Sequence, residues 1–132
     1  MVWRRFGLLL CLLLLAACAG RGDRLGADVA REDVLYFGTA RPHGVIGVAE
    51  WETFAREVIT PRFPQGLTVW KAQGQWRGEA GAIVREDSYV LTLIHPGTPE
   101  TERAIKEIIE LYKSRFEQES VMRVESAVRV SF

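Results

Sequence analysis

Cysteine is among the scarcest residues in this chain. Its two cysteines, Cys11 and Cys18, both fall near the N-terminus, and none follows. The residues after Cys18 therefore offer no thiol nucleophile, no disulfide and no thiolate ligand. A domain made from them must stand on its hydrophobic core. Histidine is as scarce, with two. His43 and His95 are far apart and lack the helical or hairpin spacing of paired ligands, so no metal site is expected. No glycine-rich phosphate loop and no nucleophile elbow is present, and no cofactor is expected. A surplus of one charge is missing too, with 17 basic and 17 acidic residues. A chain without a basic surplus has little to offer a phosphate backbone, which argues against a nucleic-acid partner.

What is present begins with an address. Arg4 and Arg5 form a basic start, and Phe6 to Leu15 is an apolar run too short to span a bilayer comfortably. Leu15-Ala16-Ala17-Cys18 follows directly. Small residues before a cysteine at that point resemble a bacterial lipobox. The resemblance implies a signal peptide over residues 1–17 and diacylglyceryl and acyl (palmitate-type) lipid on Cys18. Several acyl chains make a stable membrane anchor where one is marginal. Loss of Arg4 and Arg5 with the leader would leave a mature chain of about −2 net charge at neutral pH. Ala19 is not the aspartate that holds enterobacterial lipoproteins at the inner membrane, so an outer-membrane location facing the periplasm is expected. Residues 18–32, rich in Gly, Ala, Arg and Asp without apolar period, read as lipidated cysteine and flexible tether. Residues 33–132 then make one domain.

Within it, Asp33 to Gly38 carries a near-continuous apolar run and predicts a central strand. Val48, Trp51, Phe54, Ala55, Val58 and Ile59 recur at helical steps, although no good N-cap precedes them. Pro61 and Pro64 should stop that helix near Thr60, and Gly66 should turn the chain into a strand from Leu67. The region Gln75 to Gly81 reads as a hairpin. Arg85, Glu86 and Asp87 suggest a bulge or an exposed edge before the strand Ser88 to Ile94. Thr98 and Pro99 open a second helix whose buried stripe is Ile105, Ile108, Ile109, Tyr112 and Phe116. The last strand, Val121 to Phe132, alternates. Met122, Val124, Val128, Val130 and Phe132 are expected on the buried face, and Arg123, Glu125, Arg129 and Ser131 on the wet one. The order βαββαβ predicts a ferredoxin-like α+β fold, an antiparallel sheet with both helices on one face. The other face would carry Trp70 and either Tyr36 or Phe37, a surface suited to a homodimer or a ligand cleft.

Residues able to do chemistry are scattered: Tyr36, His43, Arg62, Gln75, Trp76, Arg77, Glu79, His95 and Tyr112. His95, at a strand-to-helix junction, is the candidate general base, although a histidine there also suits a buried bond to its neighbours. Arg62 at the proline corner could hold an anion or pair with a carboxylate while Phe63 fills the core. Trp76 and Arg77, flanked by glycines, could clamp a small planar or anionic ligand, or close the core edge.

The corner Thr60-Pro61-Arg62-Phe63-Pro64, then Gly74-Gln75-Trp76-Arg77-Gly78, Leu93-Ile94-His95-Pro96, Tyr112-Lys113 and the final Val130-Ser131-Phe132 together resemble one family. It is domain-of-unknown-function family 3574, small bacterial proteins that include many lipoproteins. The resemblance spans about Val34 to Phe132 and implies an envelope location but no activity or catalytic residues. Two functions are therefore expected as alternatives. One is a non-enzymatic, lipid-anchored module for binding a ligand or a protein. The other is a small envelope enzyme with an anion-holding pocket and His95 as base.

Overall fold

The computed structural model describes residues 28–132; Cys18, the expected leader and most of the expected tether lie outside them. Strand β1 (Asp28–Gly38) starts earlier than the sequence pattern indicated. Residues 28–30 are held as strand by β6 alone, and from Arg31 both flanks of β1 are occupied: Arg31 pairs with His95 on one side and with Ala127 on the other. A small hairpin, β2 (Ala40–Arg41) and β3 (Gly44–Val45), leads into helix α1, Val48–Phe54. The helix runs on through a π-helical turn, Ala55–Ile59. Strands β4 (Thr68–Arg77) and β5 (Ile83–His95), helix α2 (Pro99–Phe116) and strand β6 (Met122–Val130) complete the fold. The sheet order is β4-β5-β1-β6, with every neighbouring pair antiparallel. This is the ferredoxin-like split βαβ plan.

The proline corner forms as its residues dictate. The Thr60 amide still donates to Ala55 O, and the Phe63 amide closes on Ile59 O. Pro61 and Pro64 bracket the stop, and Gly66 turns at φ +139°, where a side chain would be strained. The missing N-cap of α1 is replaced from within the helix. Gly47 supplies no side chain, but the Glu50 carboxylate accepts the Gly47 amide at 3.0 Å. The same carboxylate takes two bonds from Arg41, at 3.0 and 3.1 Å. The Gly47 bond, then Arg41, hold Glu50 below its usual pKa. At α2 the Thr98 hydroxyl caps the Thr101 amide.

Both helices lie on one face of the sheet. Leu35 and Phe37 of β1 and Tyr89, Leu91 and Leu93 of β5 meet Trp51, Phe54, Ile59, Ile105, Ile108 and Tyr112 in one core. Its centre is aromatic. Tyr112 sits 4.6 Å from Phe37 and 5.2 Å from Phe54 between ring centroids, and Trp51 stacks on Tyr89 at 4.4 Å. Offset and edge-on pairs of this kind add about 0.5–1.5 kcal/mol each beyond area burial. The Tyr112 hydroxyl donates to Gly38 O at 2.8 Å, and burial pushes its pKa up.

Two expectations are corrected in part. Arg85, Glu86 and Asp87 make no bulge, pairing in unbroken register with Gln75, Gly74 and Gln73 of β4. They do form the expected exposed edge, because β1 ends at Gly38 opposite Ser88 and leaves their other flank without a strand. The sheet runs on past the helices there, so its charges stay solvated without leaving the ladder. The burial expected of β6 also fails over its first part, while Val128 and Val130 are part-buried and Arg129 is exposed as the pattern predicts. Met122 and Val124 stand 56% and 47% exposed, whereas Arg123 turns inward beside Leu35. The alternation is real, but a buried carboxylate on β1 claims the arginine side.

Helix α2 ends on Glu117 at φ 55°, in the left-handed region that glycine or asparagine normally fills. Glu117→Gly should therefore stabilise the fold by about 1 kcal/mol. Urea unfolding would read this as a higher midpoint at unchanged slope.

Candidate functional site

His95 closes β5 and is 5% exposed. Its Nε2 lies 2.6 Å from Asp33 Oδ2, and the Gly97 amide donates to Nδ1 at 3.1 Å. An amide can only donate, so this arrangement puts the ring proton on Nε2, where it donates to Asp33. Thr101 Oγ1 stands 3.1 Å from the same Nδ1 while also reaching the Thr98 carbonyl at 2.9 Å. Phe63, from the proline corner, packs edge-on against the ring at 6.0 Å. Both nitrogens are thus engaged inside the protein. The histidine ties β5, β1 and the first turn of α2 together and has no nitrogen free for an external substrate.

Asp33 is the centre of this arrangement, and it is wholly buried. Its second oxygen accepts from Arg123 Nε. Arg123 then spreads over Glu102 in a two-pronged pair at 2.9 and 2.6 Å, and reaches Glu125 at 3.0 Å. Lys106 backs Glu102 at 3.3 Å, and Arg31 backs Glu125 at 3.6 Å. A buried carboxylate is tolerated only when its charge and lone pairs are met, and here both oxygens are. The Arg123 bonds pull the Glu102 pKa down to about 2. The bonds to Glu102 and Asp33 raise that of Arg123.

The remaining candidates do not join them. Arg62 is committed to Glu107, at 3.2 Å from Nε, and to the Val58 carbonyl at 2.8 Å, while Phe63 is core. Trp76 pairs with Val84, eleven residues from His95 along β5, roughly 36 Å at the rise of a strand. Adjacent strand residues point to opposite faces, so Trp76 and Arg77 cannot close on one ligand as a clamp. Trp76 instead stands on the open face, where it lines a cleft with Tyr36. His43 is exposed in the β2–β3 turn, and Gln75 and Glu79 are exposed on and just after β4. Tyr112 is core. Sequence reasoning passed over Asp33 and Arg123. The available signal was parity: Asp33 is in phase with Leu35 and Phe37, so it had to share their buried face and needed a cation there.

A family profile described as Protein of unknown function (DUF3574) matches residues 32–132. The chain belongs to that family. This DUF3574 chain has no match among curated proteins. Among solved structures it is similar to a phage SAM lyase in its apo state, at TM-score 0.57 and 15% identity, covering 83% of this chain and 96% of that one. The lyase in complex with S-methyl-5'-thioadenosine gives 0.52 and 17%, over 84% and 97%. CutA from Synechococcus elongatus PCC7942 gives 0.52 and 10%, over 80% and 81%. These likenesses establish the shared ferredoxin-like fold.

The network makes two testable statements. Arg123→Met leaves Asp33 buried without its counter-charge and should cost about 3–5 kcal/mol. Adding Asp33→Asn should recover much of that loss in a double-mutant cycle of denaturant midpoints. Glu102 has a depressed folded pKa, so its contribution is fully present above 4.5 and lost as pH falls towards about 2. Acid melts of the native chain should lose stability through that window, and Glu102→Gln should flatten this part of the profile.

Proposed function

We propose that this DUF3574 chain is a lipid-anchored module of the cell envelope. On this reading it acts by binding rather than by chemistry, and it pairs with a second copy of itself. The observation that carries the proposal is the sheet face the helices leave uncovered. Across it run two rows without a charged residue: Trp70, Val90, Tyr36, Met122 and Thr68, Thr92, Val34, Val124. Trp70, Met122 and Val124 are about half exposed, and Ile94 lies beyond them at 45%. Four strands about 4.8 Å apart and about nine residues long give a footprint of roughly 19 by 30 Å. With side-chain relief, that approaches the roughly 800 Å² per partner of a standard interface. The two rows meet their own copy without like-charge repulsion, with the charges of the same face, Glu32 and Glu86, lying outside them, which suits a twofold pairing.

Among the described residues no helix is long and apolar enough to cross a membrane. The lipobox at Cys18 would supply the hold, and Ala19 supports the outer membrane facing the periplasm. The engagement of His95 at both nitrogens favours binding over the alternative of a histidine-based enzyme. Arg62 is likewise spent on Glu107, which removes one of the expected anion holders.

In nonionic detergent the chain should sediment as a dimer, and Val124→Lys, which sets a charge in an apolar row, as a monomer. A monomeric native chain, or a dimeric variant, would remove self-association from the proposal. For the anchor, Cys18→Ser should move the protein from the membrane fraction to the soluble one and abolish the acyl mass shift.

A further inference from the structure

One end of the open face deepens into a cleft of about 630 Å³, between the far halves of β4 and β5, the β2–β3 hairpin and the turn after α2. Its apolar surface comes from Tyr36, Trp76 and Met122, two aromatic rings and a thioether. Trp76 is 50% exposed there, on a strand whose other indole on the same face, Trp70, shields a buried Val90 row. Trp76 has no such row to cover: its partner is Val84, itself exposed.

The charge of the cleft has one sign. Glu86, Glu117 and Glu119 line it against a single cation, Arg41. Arg41 is already neutralised, since two of its guanidinium nitrogens are bound to the two oxygens of Glu50. Glu86 is held rather than free. Its Oε1 accepts the Ala40 amide at 3.0 Å, and the carboxylate lies flat over Gly38. A Cβ at position 38 would come within 2.5 Å of that oxygen. Gly38 is in turn fixed from the core by the Tyr112 hydroxyl on its carbonyl. The glycine thus makes room for a carboxylate seated in the cleft beside the two aromatic side chains.

We infer that this cleft binds an organic cation, an alkylated ammonium or sulfonium group on an apolar body. Aromatic faces attract such a cation through their quadrupole, and the attraction grows as the site loses water. Methionine sulfur and methyl pack against the alkyl groups of such a ligand without demanding hydrogen bonds. The carboxylate of Glu86 supplies the counter-charge, and Glu117 and Glu119 raise the local cation concentration. An anion would meet three carboxylates and no available guanidinium, so the small anionic ligand expected from Arg77 and Trp76 does not suit this site. The cleft shares Tyr36 and Met122 with the row proposed to meet a second copy, whereas Trp76 and Glu86 lie outside both rows, so a monomeric chain keeps the whole site.

The test is calorimetric titration of the full-length chain, in nonionic detergent, with choline. Beside it runs the neutral isostere of choline, with carbon in place of the ammonium nitrogen. Choline should bind at least tenfold tighter than the isostere. Trp76→Ala and Glu86→Gln should each weaken choline about tenfold, and Trp76→Phe should keep most of the affinity. Trp76 is half exposed, so its variants should fold, and a thermal melt checks that they do. If Glu86→Gln melts early, Glu119→Gln on the exposed turn reads the charge dependence instead, with a smaller loss expected. Val124→Lys should bind choline at least as tightly as the native chain even as it dissociates the dimer, which separates failure of this site from failure of self-association. No saturable choline binding at millimolar concentration, equal binding of the isostere, or affinity indifferent to Trp76→Ala would overturn the inference.

Discussion

A carboxylate that water cannot reach sets the terms for the rest of this molecule. Asp33 enters the core on the same side of β1 as Leu35 and Phe37, because strand residues two apart share a face. Its burial is tolerable only with a donor on each oxygen, and the two donors come from different elements. His95 arrives at the end of β5, and Arg123 near the start of β6. Each is then fixed by the N-terminal part of α2, His95 through Thr101 and Arg123 through Glu102. One buried charge therefore specifies how three strands and a helix end must meet. A hydrophobic replacement of the group could match its energy, but would not demand the same partners.

That requirement decides which side of β6 faces inward, and so what the open face contains. With Arg123 turned towards Asp33, Met122 and Val124 must turn away. The apolar residues of β6 are thereby added to Trp70, Val90 and Tyr36 on the uncovered side, instead of to the core under the helices. The surface on which self-association is proposed is in this sense a by-product of the buried ion pair. The same geometry assigns His95 its role. A histidine at a strand-to-helix junction could have faced a pocket; here its two nitrogens complete the tie between β1 and α2.

Much of the fold could be read from local pattern. The helical stripe from Trp51 to Ile59, its arrest by Pro61 and Pro64, the Thr98 cap and the Ile105–Phe116 stripe all form where the residues indicated. These features depend on near neighbours and on backbone chemistry. The readings that failed or stayed open depend on contacts far apart in sequence. The Arg85–Asp87 stretch suggested a bulge or an exposed edge. It pairs in register with β4, so there is no bulge, and it runs past the end of β1, so it is an edge, a choice set by how far a distant strand extends. Arg123 looked solvent-facing because an isolated strand shows no partner for it, and Asp33 lies 90 positions away.

By itself, then, the sequence determined the order of the four main strands and two helices, the start of the second helix, the proline corner that ends the first and the two alternating sides of each strand. The tertiary structure alone decided which side of each strand meets the helices, that Trp76 and Arg77 diverge, and that Glu86 is seated over Gly38. The physical reason is that periodicity records how side chains divide between two faces but not which face is covered. That choice is made by long-range pairing, where the cost of an unmet buried charge outweighs the burial of a few apolar side chains.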